Sequence, residues 1–349
     1  MPLGNSSETQ ISVPFDGRVV GEHTRPLRSV IRLSSRAAKT PYLPGFPISR
    51  GAEIMQLIFD IGMNNGDDTA YYLHKGYRVV AVEANPLIVE QAQQRFCDEI
   101  QRGRVEILNV GIGADRSEQE FYVSLKNSVW SSFTKAKATK GGGEYRALRV
   151  PCMRFKDLID RFGTPHYAKI DIEGNDRFCL QDLETGHLPD FISVEMSHGD
   201  AGQDIDRLAG VGYVQFKCIR QNDFLSMTPG NTGLECIKRR ILAALSGGVG
   251  RRINRWRFKK PADGTWRFPC GSSGMFGDDL AGEWLSASEV TAVWWKLRDV
   301  DRRLASGGLG EWFDIHARLA PRGDSGEDRD RLRDPRRQEG RVHLPHSQA

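Results

Sequence analysis

Between residues 57 and 220, short apolar runs alternate with longer stretches in which apolar residues recur every three or four positions. "LIFDIG" (57–62), "YRVVAVE" (77–83), "RVEILNV" (104–110), "HYAKIDIE" (166–173), "DFISVEM" (190–196) and "YVQFKCI" (213–219) read as strands. Their near-continuous apolar character is that of strands covered on both faces. Between them lie helical patterns over Asn65 to about Lys75, Pro86 to about Arg102, 175–184 and 202–210, with Pro86 at a first-turn position where its missing N–H costs nothing. Strands alternating with helices predict a doubly wound α/β domain around a mostly parallel sheet.

The flanks follow other patterns. Residues 1–50 are rich in Arg, Ser and Pro without sustained periodicity, which predicts a flexible basic arm ahead of a main domain at 51–225. Residues 226–320, punctuated by Gly and Pro, predict an irregular and helical extension packed on or capping that domain. Helical periodicity returns from about Ser288 to Arg303, where Val290, Val293, Trp294 and Leu297 share a face. Residues 321–349 mix both charges with almost no apolar residues and predict a disordered tail.

Composition narrows the class. An apolar fraction of 39% in 349 residues supports an ordinary core, and a net charge of +4 points neither to nucleic acid nor to a membrane surface. The six cysteines form no CxxC pair, so neither a zinc cage nor a redox motif is indicated. No run reaches the roughly 20 apolar residues of a membrane span. The first residues lack a basic-then-apolar export signal, so a cytoplasmic location is expected.

The chemistry centres on "FDIGMNNGDD" (59–68), the loop after the first strand. In an open parallel sheet ligands bind beyond the C-terminal strand ends where the strand order reverses. A dinucleotide fingerprint needs GxGxxG, but position 64 is Asn and position 67 is Asp. Asp67 and Asp68 in the first helical turn would repel a pyrophosphate, no Lys or Arg lies in the loop, and there is no GK[ST] of a phosphate loop. A phosphate-free ligand is indicated, and S-adenosylmethionine fits. Asp60, Gly62, Asn64 and Gly66 keep a DxGxGxG spacing with Asn, which enters left-handed conformations more readily than most residues, in the middle place. Asn65 belongs to the same loop. Glu83 ends the next strand about 20 residues on, where an acid can accept hydrogen bonds from ribose hydroxyls, with Asn85 beside it.

With "FDIGMNNGDDTAYYLHKGYRVVAVEANP", "LNVGIG" and "YAKIDIEGND", the chain resembles the FkbM family of S-adenosylmethionine-dependent methyltransferases over about residues 55–225. The resemblance implies a class I methyltransferase fold and O-methylation of a hydroxyl on a sugar, glycolipid or secondary metabolite. It implies that Asp60, Gly62, Asn64 and Gly66 surround the methionine portion, that Glu83 takes the ribose, and that Asn109, Val110 and Gly111 line the adenine pocket. Asp171 is then the residue facing the methyl group and acceptor.

An alcohol is a poor nucleophile until its proton is leaving, so a positioned base is useful. Asp171, Glu173, Glu195 and His198 stand at strand tips and are the candidates, set against a plain Lys169 ion pair with Asp171 or Glu173. No compact ligand set stands out, so no metal is expected. "NSVWSSF" (127–133) and the segment 264–284 are candidate acceptor covers, with Trp130 and Trp266 as flat faces for a sugar. Two other readings stay open: an NAD-dependent sugar-modifying enzyme, disfavoured by the broken glycine spacing, and a non-catalytic binding protein docking through the basic stretch 238–260.

Overall fold

The computed structural model describes residues 55–139, 142–196, 201–245, 249–250, 252–253, 259–269, 271–303 and 311–321. The expected arm (1–50), almost all of the charged tail (321–349) and His198 lie outside the described residues. The first part of the chain supplies strands β1 (Leu57–Ile61), β2 (Arg78–Val82), β3 (Val105–Leu108), β4 (Gly111–Ile112), β5 (Glu118–Ser124) and β6 (Tyr145–Met153). It continues through β7 (Tyr167–Ile170), β8 (Phe191–Glu195), β9 (Tyr213–Arg220), β10 (Leu225–Met227), β11 (Ala262–Asp263), β12 (Trp266–Arg267) and β13 (Phe313–Leu319). The helices are α1 (Asp67–His74), α2 (Pro86–Arg95), α3 (Cys97–Gln101), α4 (Lys135–Ala138), α5 (Phe155–Phe162), α6 (Asp176–Gln181), α7 (Ala201–Val211), α8 (Pro229–Ala244) and α9 (Ala287–Arg303).

The main sheet has the order β10-β9-β13-β8-β7-β1-β2-β3. From β3 to β8 the neighbours are parallel, whereas β13 runs antiparallel to both β8 and β9. This is the doubly wound sheet expected from the alternating pattern. The chain winds outward from β1 to β3 and returns to β7, so the order reverses between the tips of β1 and β7, where ligand sites form.

Side chains one residue apart along a strand face opposite sides, and the core divides accordingly. Phe59 and Ile61 join Phe155, Leu158, Cys179, Ile205 and Trp294 on the face covered by α5, α6, α7 and α9. Ile58 joins Tyr71, Tyr72 and Phe96 on the face covered by α1 and α2. Val290, Val293, Trp294 and Leu297 are all buried, as their spacing requires. Full burial of each is worth about 1.5–3 kcal/mol, enough to hold α9 in place.

Two boundaries differ from the sequence reading. The helix expected over 86–102 is interrupted at Phe96, which closes α2 and opens α3, and whose ring packs against the loop before α1. The domain boundary placed at 225 is crossed by the sheet: β13, from the far end of the extension, lies between β8 and β9. Its alternation of Asp314, His316 and Arg318 with Phe313, Ile315 and Ala317 disguised an interior strand, because both of the first two polar side chains are buried.

The rest of the extension also packs inward. Phe276 stacks on Tyr167 with ring centroids 4.0 Å apart, and Met275 and Leu280 join the α1 face of the core. Within the basic stretch, Arg239 is buried against Glu311 at 2.7 Å and Lys238 pairs with Glu235 at 2.6 Å. Among the described residues no helix is long and apolar enough to cross a membrane.

Candidate active site

A cavity of about 370 Å³ opens at the reversal point, a size suited to a small ligand. Its floor is the loop after β1. Gly62 has φ +86°, and a Cβ there would fall 1.9 Å from the backbone oxygen of Asp171, so only glycine lets the tips of β1 and β7 approach. Asn64 itself adopts φ +48°, the left-handed conformation for which the Asn was read as a tolerable replacement. Gly66, at φ +81°, is the residue ahead of α1, where a Cβ would strike the Phe96 ring.

Glu83, just after β2, faces the cavity with its carboxylate fixed by two backbone amides. Asn64 N–H donates to Oε2 at 3.0 Å and Asn85 N–H to Oε1 at 2.8 Å. Burial pushes the carboxyl above its usual range, and these two donors pull it back. Each oxygen keeps a further lone pair for a ligand hydroxyl.

Of the residues expected around a cofactor, Gly62, Asn64, Asn65, Glu83, Val110 and Gly111 line the cavity. Asp60, Gly66, Asn85 and Asn109 do not; they stand behind it and hold the lining in shape. Asp60 is fully buried, accepting from Thr69 Oγ1 at 2.6 Å and Lys169 Nζ at 3.2 Å. The expected ribose approach of Asn85 is replaced by a cap: its Oδ1 accepts from Leu87 N–H at 3.1 Å, because the start of α2 has orphan donors. Asn109 Nδ2 donates to the carbonyls of Glu83 at 3.0 Å and Ala84 at 3.2 Å, tying the end of β3 to the end of β2.

The ion pair weighed for Lys169 forms elsewhere. Its ammonium lies 3.2 Å from Asp60 and 3.6 Å from Asp68, on the β1 side, and not on Asp171 or Glu173. Burial pulls this ammonium down, but Asp60, Asp68 and Asp171 together hold it well above its ordinary value. Asp68 has a second task that the sequence did not reveal. It accepts from Ser273 N–H at 3.0 Å, Gly274 N–H at 2.9 Å and the Ser272 hydroxyl, fastening the extension to α1 beside the cavity.

The opposite end of the cavity is acidic. Asp171 and Glu173 sit on the turn after β7, and Glu195 ends β8. The turn is held by Asp176, which accepts from Ile172 N–H at 3.0 Å and Gly174 N–H at 2.9 Å, while Glu173 takes φ +53°. Glu173 pairs with Lys137 at 3.1 Å, and its carbonyl accepts from Ser132 Oγ at 2.8 Å. Burial pushes Asp171 up to about 7 against the pull of Lys169. Burial, with Asp171 and Glu173 nearby, also holds Glu195 well above the carboxylate range. One oxygen from each of the three lies within 4.8 Å of the others. Sequence reading saw no such compact set, because the three are spread over 25 positions of the chain and only the parallel pairing of β7 with β8 assembles them.

The connection between β5 and β6 also lines the cavity. Ser128, Val129, Trp130, Ser131 and Phe133, from "NSVWSSF", line it. Trp266 does not: it packs on Tyr71 and His74 at ring distances of 5.8 and 5.0 Å. Sequence reading also missed Gln221 and Trp312, which reach the cavity from either side of the extension. Gln221 Nε2 donates to Asp314 at 2.8 Å, whose carboxyl burial pushes up to about 6.

A doubly wound sheet, a glycine bend after its first strand and an acid at the end of the second are the features of a class I methyltransferase fold. Residues 60–221, somewhat under half of the chain, match the model of the Methyltransferase FkbM domain. No curated protein matches the sequence. Among solved structures, the methyltransferase FkbM from Methylobacillus flagellatus KT is similar at 18% identity with a TM-score of 0.31, over 47% of this chain and 39% of that one. Precorrin-6y C5,15-methyltransferase from Geobacter metallireducens GS-15 is similar at 10% identity and a TM-score of 0.30, over 77% and 83% of the two chains. Coclaurine N-methyltransferase bound to N-methylheliamine and SAH is similar at 9% identity and a TM-score of 0.27, over 76% and 68%.

Proposed function

We propose that the chain is an S-adenosylmethionine-dependent methyltransferase acting on a hydroxyl of a sugar, glycolipid or secondary metabolite. The observation that carries the reading is the polarity of the cavity: a fixed Glu83 carboxylate at one end, three carboxylates at the other, and Lys169 engaged by Asp60 and Asp68. Such a site repels phosphate and suits a cation, which disfavours NAD. When bound, S-adenosylmethionine supplies an electrophilic methyl group on a sulfonium.

The chain's own residues do the rest. Gly62 and Asn64 let the backbone come close to the methionine portion, and Glu83 receives the ribose hydroxyls. Ser128–Phe133 and Trp312 screen the acceptor from water. Asp171, Glu173 and Glu195 would hold the acceptor hydroxyl and receive its proton, leaving the oxygen lone pair free for the methyl group as the sulfonium departs as a neutral thioether. Holding both partners at attack distance supplies several kcal/mol of the barrier reduction. Neither a nucleic-acid partner nor a fixed oligomeric state is part of this proposal.

Calorimetric titration with S-adenosylmethionine and, separately, NAD tests the cofactor. Binding of the first alone is expected, and preference for NAD overturns the reading. Incubation with a labelled methyl donor and fractionated extract tests the acceptor class; label confined to protein or RNA rules out the hydroxyl metabolite.

A further inference from the structure

Resting on the reading of the acidic end as the acceptor end, we infer that Asp171, Glu173 and Glu195 bind a divalent cation through their carboxylate oxygens. Three acids close together do not by themselves make a metal site, and Glu195 is what distinguishes this cluster. It is 5% exposed, and no hydrogen bond from the described residues reaches its Oε2, although the oxygens of Asp171 and Glu173 are its neighbours. A buried carboxylate without a donor is costly, so such an acid keeps its proton, is paired, or is bound to a cation. Of the nearby ammonium groups, Lys137 pairs with Glu173 at 3.1 Å and Lys169 is held by Asp60 and Asp68, so among the described residues neither is paired with Glu195.

The geometry suits a hard cation. All three donors are oxygens, the set preferred by Mg²⁺, Mn²⁺ and Ca²⁺ and not by zinc or copper. Oxygens on opposite sides of one ion stand about 4.2 Å apart for Mg²⁺ and about 4.8 Å for Ca²⁺. The spread of 4.8 Å or less is therefore one that a single ion can bridge with small side-chain movements. Three protein ligands leave open positions toward the cavity, where an acceptor hydroxyl binds the ion and loses its proton more readily. The three residues then act as ligands through one oxygen each, the cation lowers the pKa of the bound hydroxyl, and its proton passes to a carboxylate oxygen that the ion does not engage.

The test uses chelator-treated full-length protein and Mn²⁺ as the probe. Calorimetry is expected to find one Mn²⁺ per chain, and Tb³⁺ bound there is expected to luminesce on excitation of Trp130 and Trp312, which line the same cavity. Glu195→Gln and Asp171→Asn are each expected to weaken Mn²⁺ binding tenfold or more. S-adenosylmethionine affinity in Glu195→Gln stays within about threefold, since Glu83 lies at the other end. If circular dichroism shows that Glu195→Gln does not fold, Asp171→Asn and Glu173→Gln carry the comparison. Absence of Mn²⁺ binding to the wild type, or undiminished binding in the folded variants, overturns the inference. Retained Mn²⁺ binding with no affinity for S-adenosylmethionine sinks the cofactor reading instead and leaves the ion site standing.

Discussion

Replacing Glu83 with Gln changes one atom and separates the two tasks of this side chain. In the wild type its two oxygens accept from Asn64 N–H at 3.0 Å and Asn85 N–H at 2.8 Å. A carboxamide keeps one acceptor and turns an NH₂ toward the other amide, so one backbone donor loses its partner. An unsatisfied buried donor costs about 1–3 kcal/mol. For a domain of this size that lowers Tm by about 3–10 °C. The effect on ligand binding is larger in proportion. A hydrogen bond to a charged group contributes about 1.5–3 kcal/mol against about 0.5–1.5 for a neutral one. Two ribose hydroxyls facing Gln therefore forfeit about 2–3 kcal/mol, which is roughly a 30- to 150-fold weaker Kd. Calorimetric titration of the folded variant with S-adenosylmethionine, well below its Tm, reads this directly. A Kd within twofold of wild type would show that Glu83 serves only the loop, and the adenosyl placement would fail with it.

Three further outcomes follow from the same geometry. Gly62→Ala must adopt a left-handed conformation and meet a carbonyl oxygen that no rotamer change can avoid, a combined cost of about 2–5 kcal/mol read as a fall in Tm; an unchanged Tm would mean that β1 and β7 are not held as closely as described. Lys169→Met leaves Asp60 and Asp68 buried without their cation and is expected to cost about 3–5 kcal/mol in urea unfolding, whereas a neutral result would make the pair dispensable. Burial and the neighbouring Lys217 push His316 down to about 3, so between pH 6.5 and 3 the unfolded chain binds a proton that the folded chain refuses. Stability supplied by the neutral imidazole is thus lost as pH falls through that window, by up to about 1.4 kcal/mol per pH unit, and His316→Gln is expected to flatten the slope relative to wild type; parallel slopes would contradict the burial.

What is legible in local spacing is backbone conformation and position at a strand end. Gly62 and Asn64 were identified because a bend after a strand needs positive φ, and Glu83 because it ends the next strand. Val290, Val293, Trp294 and Leu297 were legible as a helical face. What escaped depends on partners distant along the chain. Asp68 read as a charge suited to a helix start, whereas it holds Ser272, Ser273 and Gly274, some two hundred positions away. Asn85 read as a ligand contact, since sequence cannot tell whether an amide beside a site faces the ligand or caps the helix that follows. The grouping of Asp171 and Glu173 with Glu195 required knowing that β7 and β8 are neighbours, which pairing decides and local pattern does not.

The position of β13 bears on how the protein comes into being. As the chain leaves the ribosome, β8 and β9 emerge long before residues 313–319, and until those arrive each has an unpaired edge. A fragment cut at Gln221, where the family match stops, would retain that gap permanently and would be prone to pairing with other chains. Any preparation meant to be monomeric and active therefore has to extend through Leu319.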